Sequence, residues 1–190
     1  MIKTGIFGGS FNPIHTGHIA LARQLREAAG LDEVWLMVSP QNPLKEQAGL
    51  LADSLRLQMA RQALVDEPFI EVSDYEFHLP RPSYTWNTLQ ALKADYPDRE
   101  FVLMIGGDNW ERFHHWYRAD DIIRNYQIIV YPRRDSDIDT DSLPPNVKVV
   151  EAELLDISST DIRRRVRQGK TIAGMVPDSI LDAVTEYYAT

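Results

Sequence analysis

The sequence predicts a doubly wound α/β fold, a parallel sheet with helices on both faces. Three observations carry that prediction. Strand-length runs such as residues 34–39 (VWLMVS) and 101–105 (FVLMI) are apolar throughout, as in strands buried on both sides. Segments with apolar residues at helical spacing alternate with these runs. Glycines close two of the runs, at Gly8 and Gly106, where a strand passes into a loop.

Taken in order, residues 3–8 form the first buried strand. Leu21, Leu25 and Ala28 then line one face of a helix whose other face carries Arg23, Gln24, Arg26 and Glu27, with Gly30 as its stop. Residues 34–39 are the second strand, closed by Pro40. Asp53 caps a helix with the stripe Leu57, Ala60 and Leu64, ended by Pro68. Residues 69–72 make a short strand. Ser83 precedes a helix carrying Leu89 and Leu92, stopped before Pro97. Strands follow at 101–105, 127–131 and 147–150, with a polar Asp/Ser/Pro-rich loop at 133–145 expected to move. Helices at 159–168 and 178–188 finish the chain, the second with Ile180, Leu181, Val184, Tyr187 and Tyr188 at helical spacing.

At 190 residues the chain reads as one domain, 1–190, with a C-terminal helical subregion at about 157–190. The absence of cysteine excludes disulfides, Cys-based zinc sites, iron–sulfur clusters and a thiol nucleophile. No apolar run approaches the ~18 residues that cross a bilayer, and the N-terminus leaves no room for a signal-peptide core. These points lead us to expect a cytoplasmic chain without a membrane partner. With 20 Lys plus Arg against 28 Asp plus Glu, the net charge of -8 argues against a nucleic-acid partner.

In doubly wound folds ligands sit beyond the carboxyl ends of the strands, which directs attention to residues 8–18, 39–45 and 106–117. Gly8 and Gly9 allow close backbone approach, and the helix that follows turns its N–H groups and positive end toward an anion. His15 and His18, three apart at that helix start, lie roughly on one side of it. They read either as phosphate donors or as a capping and packing pair. A metal site has no third ligand at recognisable spacing. Gly169-Lys170-Thr171 resembles the tail of a P-loop, but Arg164 stands where its leading glycine belongs. Near the C-terminus, Ser158, Ser159 and Thr160 offer hydroxyls and first-turn N–H groups, and Arg163 one turn on can fork onto phosphate. Arg164 and Arg165 read as a solvated basic face.

Residues 9–18 (GSFNPIHTGH) resemble the G-x-F-x-P-x-H-x-G-H signature of the HIGH-motif nucleotidyltransferases, and residues 157–163 (ISSTDIR) resemble their I-S-S-T-x-x-R. Over the full length the chain is similar to the nicotinate mononucleotide adenylyltransferases. Ser83, Tyr84, Thr85, Thr88 and Leu89 match their S-Y-T-x-x-T-L, and Gly106, Asp108, Phe113 and Trp116 match G-x-D and F-x-x-W. Two departures stand out: Asn12 occupies a position where the family commonly has Asp, and residues 40–45 (PQNPLK) replace a longer P-P-H-[KR] loop.

The resemblance implies AMP transfer from ATP to nicotinate mononucleotide, with Mg2+ accompanying the ATP and small molecules as the partners. Homo-oligomers are left open. His15, His18 and Arg163 are the implied catalytic residues. Gly8, Gly9, Ser10, Phe11, Lys45, Gly106, Asp108, Ser158, Ser159 and Thr160 are the implied ATP contacts. Asn42, Tyr84, Thr85, Trp116 and Arg134 are implied for the acceptor. Trp116 reads alternatively as an ordinary core aromatic, and Asp108 as a solvated loop acid. Another adenylyltransferase of the superfamily, or a non-catalytic nucleotide-binding module, remains an alternative.

Overall fold

A strand that is apolar at every position must be covered on both faces, and the sheet of this chain is built that way. A computed structural model describes residues 1–41 and 49–190. Within them, β1 (Ile2–Gly9), β2 (Glu33–Val38), β3 (Ile70–Ser73), β4 (Arg99–Gly106), β5 (Gln127–Tyr131) and β6 (Val147–Val149) form one parallel sheet ordered β3-β2-β1-β4-β5-β6. The chain winds outward from β1 to one edge, returns to pair β4 against β1, and winds to the other edge. The strand order therefore reverses between β1 and β4, the place where such sheets open a crevice for ligands.

Alternation along each strand divides the core in two. Val34, Leu36 and Val38 of β2 point to one face with Phe7, Val102 and Met104, where α1 (Thr16–Ala28) and α2 (Asp53–Ala63) cover them. Helices α6 (Ser159–Arg167) and α7 (Asp178–Tyr187) pack on that same face through Ile162, Val166, Ile180 and Val184. Trp35 and Met37 point the other way with Ile6, Leu103 and Ile105, beneath α3 (Thr85–Asp95) and α5 (Ala119–Asn125).

Several local expectations need correction. Ala28 is exposed, because the stripe of α1 runs through Ile19, Leu21, Ala22 and Leu25 and has rotated away by the last turn. Asp53 is the first helical residue of α2 rather than its cap, which is Ala52, and its carboxylate is drawn aside to Gln41 N–H and Arg56. The short helices α4 (Gly107–Glu111) and α5 lack the length to show a period and were not anticipated. The loop expected to move is tied at its start: Ser136 Oγ accepts from Arg133 N–H at 2.8 Å, and Asp137 N–H donates to Glu111 at 2.5 Å.

Two glycine stops behave as helix chemistry demands. Gly30 has φ +66°, with Leu31 N–H closing on Arg26 O and its own N–H on Glu27 O. Gly169 repeats the arrangement at the end of α6, with φ +68° and Lys170 N–H on Arg165 O. The P-loop-like triplet is thus a helix terminus.

Gly5, in the middle of β1, lies against the neighbouring side chains so closely that an added Cβ would fall 2.4 Å from Met104 Sδ and 2.8 Å from Leu31 Cδ1. Overpacking of this kind costs about 1–3 kcal/mol. We expect Gly5→Ala to lower the urea midpoint accordingly at unchanged slope. An unshifted midpoint would mean that Met104 and Leu31 yield freely.

Candidate active site

The loop from β1 to α1 is shaped by what its own side chains do to its backbone. His15 is the N-cap of α1, in extended conformation (φ -144°, ψ 174°). Its Nδ1 accepts from His18 N–H at 3.3 Å, and His18 Nδ1 accepts from His15 N–H at 3.1 Å. This is a reciprocal capping box made of imidazoles instead of Ser and Glu. The rings stack with centroids 3.6 Å apart. The capping reading and the donor reading of this pair are therefore compatible. With both Nδ1 atoms accepting, each ring carries its proton on Nε2 and presents that N–H as a donor.

Glycine at 17 follows from the stack, since a Cβ there would lie 2.8 Å from His15 Cε1. Phe11, on the other side, packs edge-on to His18 at 4.9 Å and to Phe7 at 5.9 Å. Its buried ring holds a left-handed backbone (φ 47°) that a bulky residue seldom adopts.

The two sequence signatures meet in space. Arg163 Nη1 donates to Asn12 O at 2.7 Å, and Ser159 Oγ donates to Pro13 O at 2.9 Å. Ser158 caps α6 by accepting from Asp161 N–H at 3.0 Å. The Asn12 side chain ties the loop further. It donates to Gly49 O and accepts from Leu51 N–H and, at 2.6 Å, from the Tyr188 hydroxyl at the end of α7.

Sequence reasoning missed Arg56. Its guanidinium is fully buried and donates to Ser10 O, Ser39 O and Leu51 O at 2.6–2.9 Å, with Asp53 as counterion at 2.5 Å. Burial lowers its pKa from the ordinary arginine value, yet a guanidinium stays charged at neutral pH.

Two cavities open at the carboxyl ends of the strands. The first, about 520 Å³, is lined by His15, His18, Asp108, Arg133, Arg134 and Ser159, with an apolar wall of Leu21, Leu154, Leu155 and Ile157. The second, about 340 Å³, lies between Gly8 and Gly9 on one side and Ser83, Thr85 and Trp116 on the other. Among the described residues, Ser83 Oγ is buried without a hydrogen-bond partner.

The structure distributes the expected residues unevenly. Gly8 and Gly9 line the second cavity, and Arg134 lines the first, paired at 3.7 Å with Asp156. Phe11 is buried as a support and Ser10 offers its carbonyl to Arg56. Thr160 is exposed and accepts from Arg163 at 3.4 Å, and neither is among the residues lining the first cavity. Tyr84 caps α3, its ring exposed against Tyr117, while its neighbours Ser83 and Thr85 face the second cavity. Gly106 lies under Asp108, whose Oδ1 leaves no room for a Cβ at 2.7 Å. Trp116 is half-buried, stacked obliquely on Phe113 at 4.7 Å, with a face toward the second cavity. Asn42 and Lys45 lie outside the described residues.

Arg133, Asp135, Ser136 and Asp156 on the first cavity were also missed, as were Ser39, Glu76, Thr88 and Asn109 on the second. For Arg133 a signal existed: it follows the carboxyl end of β5.

Both histidines are kept neutral. Burial, then the Arg133 charge, lowers the His15 pKa from 6.5 to about 4. Burial, then His15 and Arg133, lowers that of His18 well below 6.5. An imidazole that resists protonation destabilises the fold in acid. The contribution of His15 is complete above pH 6.5 and is lost as pH falls toward 4, on the order of 3 kcal/mol in all. We expect the His15 ring resonance to titrate near pH 4 with stability falling over that window. A midpoint near 6.5 would mean that burial and the Arg133 charge do not hold the ring neutral.

A cytidylyltransferase-like family model matches residues 6–165. The chain is 55% identical over 170 residues to a "Probable nicotinate-nucleotide adenylyltransferase" of Bacteroides fragilis, covering 90% of this chain and 85% of the relative. It is 46% identical to the protein of that name from Bacteroides thetaiotaomicron, over 98% and 92%. Its fold is similar to that of a Plasmodium falciparum nicotinic acid mononucleotide adenylyltransferase solved with NaAD (TM-score 0.81, 20% identity, 98% and 96% covered). A Vibrio parahaemolyticus protein described as a nicotinate-nucleotide adenylyltransferase aligns over the whole of both chains (TM-score 0.71, 23% identity).

Proposed function

The chain belongs to the cytidylyltransferase-like family and within it to the nicotinate-nucleotide adenylyltransferases, and on that premise we propose that it transfers AMP from ATP to nicotinate mononucleotide. The products are nicotinate adenine dinucleotide and pyrophosphate, a step of NAD biosynthesis. The observation that carries this reading is the pair of cavities lined by opposite ends of residues 8–18, one rich in phosphate donors and the other holding a helix start and an indole.

ATP suits the first cavity. Its apolar wall accepts a purine, and Arg133 and the His Nε2–H groups face the phosphates. Nicotinate mononucleotide suits the second. Its carboxylate meets the free N–H groups at the start of α3 and the Ser83 hydroxyl, and its ring lies against Trp116.

The acceptor phosphate oxygen attacks the α-phosphorus as pyrophosphate departs on the opposite side. No side chain serves as nucleophile. His15 and His18 hold phosphate oxygens through neutral N–H donors while charge builds on them. Arg163 keeps the loop in register through the Asn12 carbonyl and has further N–H groups for phosphate. Lys45, Ser158 and Ser159 complete the set of triphosphate contacts in this reading, with Thr160 steadying Arg163 beside them, and Asp108 receives ribose hydroxyls.

Relatives of this kind are adenylyltransferases, and magnesium is our choice of divalent ion. Among the described residues no three His, Asp or Glu side chains converge on a metal site, so the single carboxylates Asp108, Asp135 and Asp156 fit a cation carried in by ATP rather than caged by protein. Bound with the triphosphate, it supplies charge neutralisation at the β and γ phosphates. The reading further includes a cytoplasmic setting and small molecules as partners, with assembly into homo-oligomers open. Among the described residues no helix is long and apolar enough to cross a membrane.

The test is pyrophosphate release from ATP with each acceptor in turn. Removing one oxyanion-type donor costs about 10²–10³ in turnover, so His18→Ala should lose that much kcat while remaining folded. Turnover within a few-fold of wild type would reject His18 as a phosphate donor. Nicotinate mononucleotide should exceed nicotinamide mononucleotide at least about ten-fold in kcat/KM, because a site built for two charged oxygens leaves donors unpaired against an amide. Equal values would reject the helix start as the carboxylate site.

A further inference from the structure

The second cavity contains a group that the reaction, as derived, does not use. Glu76 lies in a 3-10 turn (Tyr75–His78) between β3 and α3, is 8% exposed, and lines the same cavity as Thr85 and Trp116. A carboxyl in the pocket that receives a carboxylate acceptor demands a reason.

Its surroundings supply one. The groups that meet it are neutral: Thr88 Oγ1, from α3, at 2.7 Å, and the Ser39 hydroxyl, from the end of β2. The remaining polar lining of the cavity among the described residues is Ser83, Thr85, Asn109 and the Tyr131 phenol, all uncharged at neutral pH. The neighbouring charges of its own turn and the adjoining loop, Asp74, His78 and Arg81, pair with one another or with α2 rather than with Glu76. Thr88 Oγ1 also reaches Tyr84 O at 3.3 Å. A protonated Glu76 can therefore donate to Thr88, which in turn donates to the carbonyl of the α3 cap. An ionised Glu76 needs the Thr88 proton for itself.

We propose that Glu76 is a selectivity residue whose protonation state sets the preference of the second cavity for a carboxylate over a carboxamide acceptor. The inference rests on nicotinate mononucleotide occupying that cavity. As the neutral acid, Glu76 adds no charge to a space that must take the nicotinate anion. As the anion, it repels that carboxylate in a poorly hydrated cavity and offers an acceptor to a carboxamide NH2. Burial raises the Glu76 pKa above the ordinary glutamate value, opposed by the two hydroxyls, which moves the balance toward the neutral form. Glu76 is not a catalytic residue, because it has no part in the phosphoryl chemistry.

The sign of the pH effect follows. Selectivity for the acid acceptor is full below the Glu76 pKa and falls as pH rises through it. The phosphates of the two mononucleotides ionise alike, so their titration cancels in a ratio.

The experiment measures kcat/KM for nicotinate and nicotinamide mononucleotides across the pH range in which the protein stays folded, with wild type and Glu76→Gln. The wild-type ratio should fall at least ten-fold across that range, and the Gln variant, permanently neutral, should show a flat ratio. A wild-type ratio independent of pH, or the same fall in the Gln variant, overturns the proposal. Loss of all activity on both acceptors in wild type would instead remove the function it rests on. Should the variant fail to fold, carbon-13 NMR of the labelled Glu76 carboxyl decides with the wild-type protein. Nicotinate mononucleotide must raise its titration midpoint more than the amide does, and equal midpoints overturn the proposal.

Discussion

The carboxyl end of a parallel sheet is a poor place for an anion unless its carbonyl oxygens are taken up by something else. Here one buried guanidinium takes up several of them. Arg56 draws in Ser10 O from the loop after β1, Ser39 O from the end of β2 and Leu51 O ahead of α2. A buried arginine with fewer partners would be severely destabilising. Its cost is offset because Asp53 pairs its charge and three carbonyls accept from its other N–H groups. The same logic continues along the chain. Gly9 O accepts from Ser39 N–H, Asn12 O from Arg163 and Pro13 O from Ser159. The acceptors of residues 9–13 are thus largely turned into the protein, leaving the imidazole Nε2–H groups of His15 and His18 on the first cavity.

This arrangement reconciles a net charge of -8 with a site for polyanions. The histidine pair is not a pair of cations. Two stacked imidazolium rings 3.6 Å apart would repel strongly, and burial with Arg133 nearby keeps both neutral. Neutral N–H donors preserve their geometry through a reaction in which charge moves, because they do not titrate in response to it. The mobile positive charge is instead supplied by exposed arginines at positions 133 and 134. Gly17 follows from the same stack, so the H-x-G-H pattern is a steric consequence of its own first residue.

The sheet was legible because continuous apolar runs leave no other solution. Strand β5 matched the expected limits, and β1, β2 and β6 differed by a residue or two. Helix α7 was readable from Ile180, Val184 and Tyr188 alone. What escaped notice was set by distant partners. Arg56 sits beside Leu57 in a helix whose pattern assigns arginine to solvent, and its burial is decided by carbonyls 17 and 46 residues away. Glu76 escaped for the same reason, since only the fold brings Thr88 and Ser39 to it. Asp53 was misread as a cap because Arg56 and Gln41 compete for its oxygens. For the site, the two motifs named the residues that meet, while their division between two cavities was not in the sequence. Gly8 and Gly9 border one cavity and Arg134 the other.

That division locates the chemistry. Gly8 and Gly9 border the second cavity and His15 and His18 the first, so the turn from β1 into α1 stands between the two ligands of the proposed reaction. Bringing two anions to reacting distance is the main barrier in such a transfer, and a loop able to yield would let them part. The bonds that hold it come from four directions: Arg56 in α2, Ser159 and Arg163 in α6, Tyr188 at the end of α7, and Gly49 and Leu51 ahead of α2. Asn12 lies at the centre, with its carboxamide donating to one partner and accepting from two. A carboxylate in its place would accept from Tyr188 and Leu51 equally well but would face the Gly49 carbonyl without a proton. Asparagine at position 12 is therefore matched to how this chain closes residues 49–51 against its glycine turn.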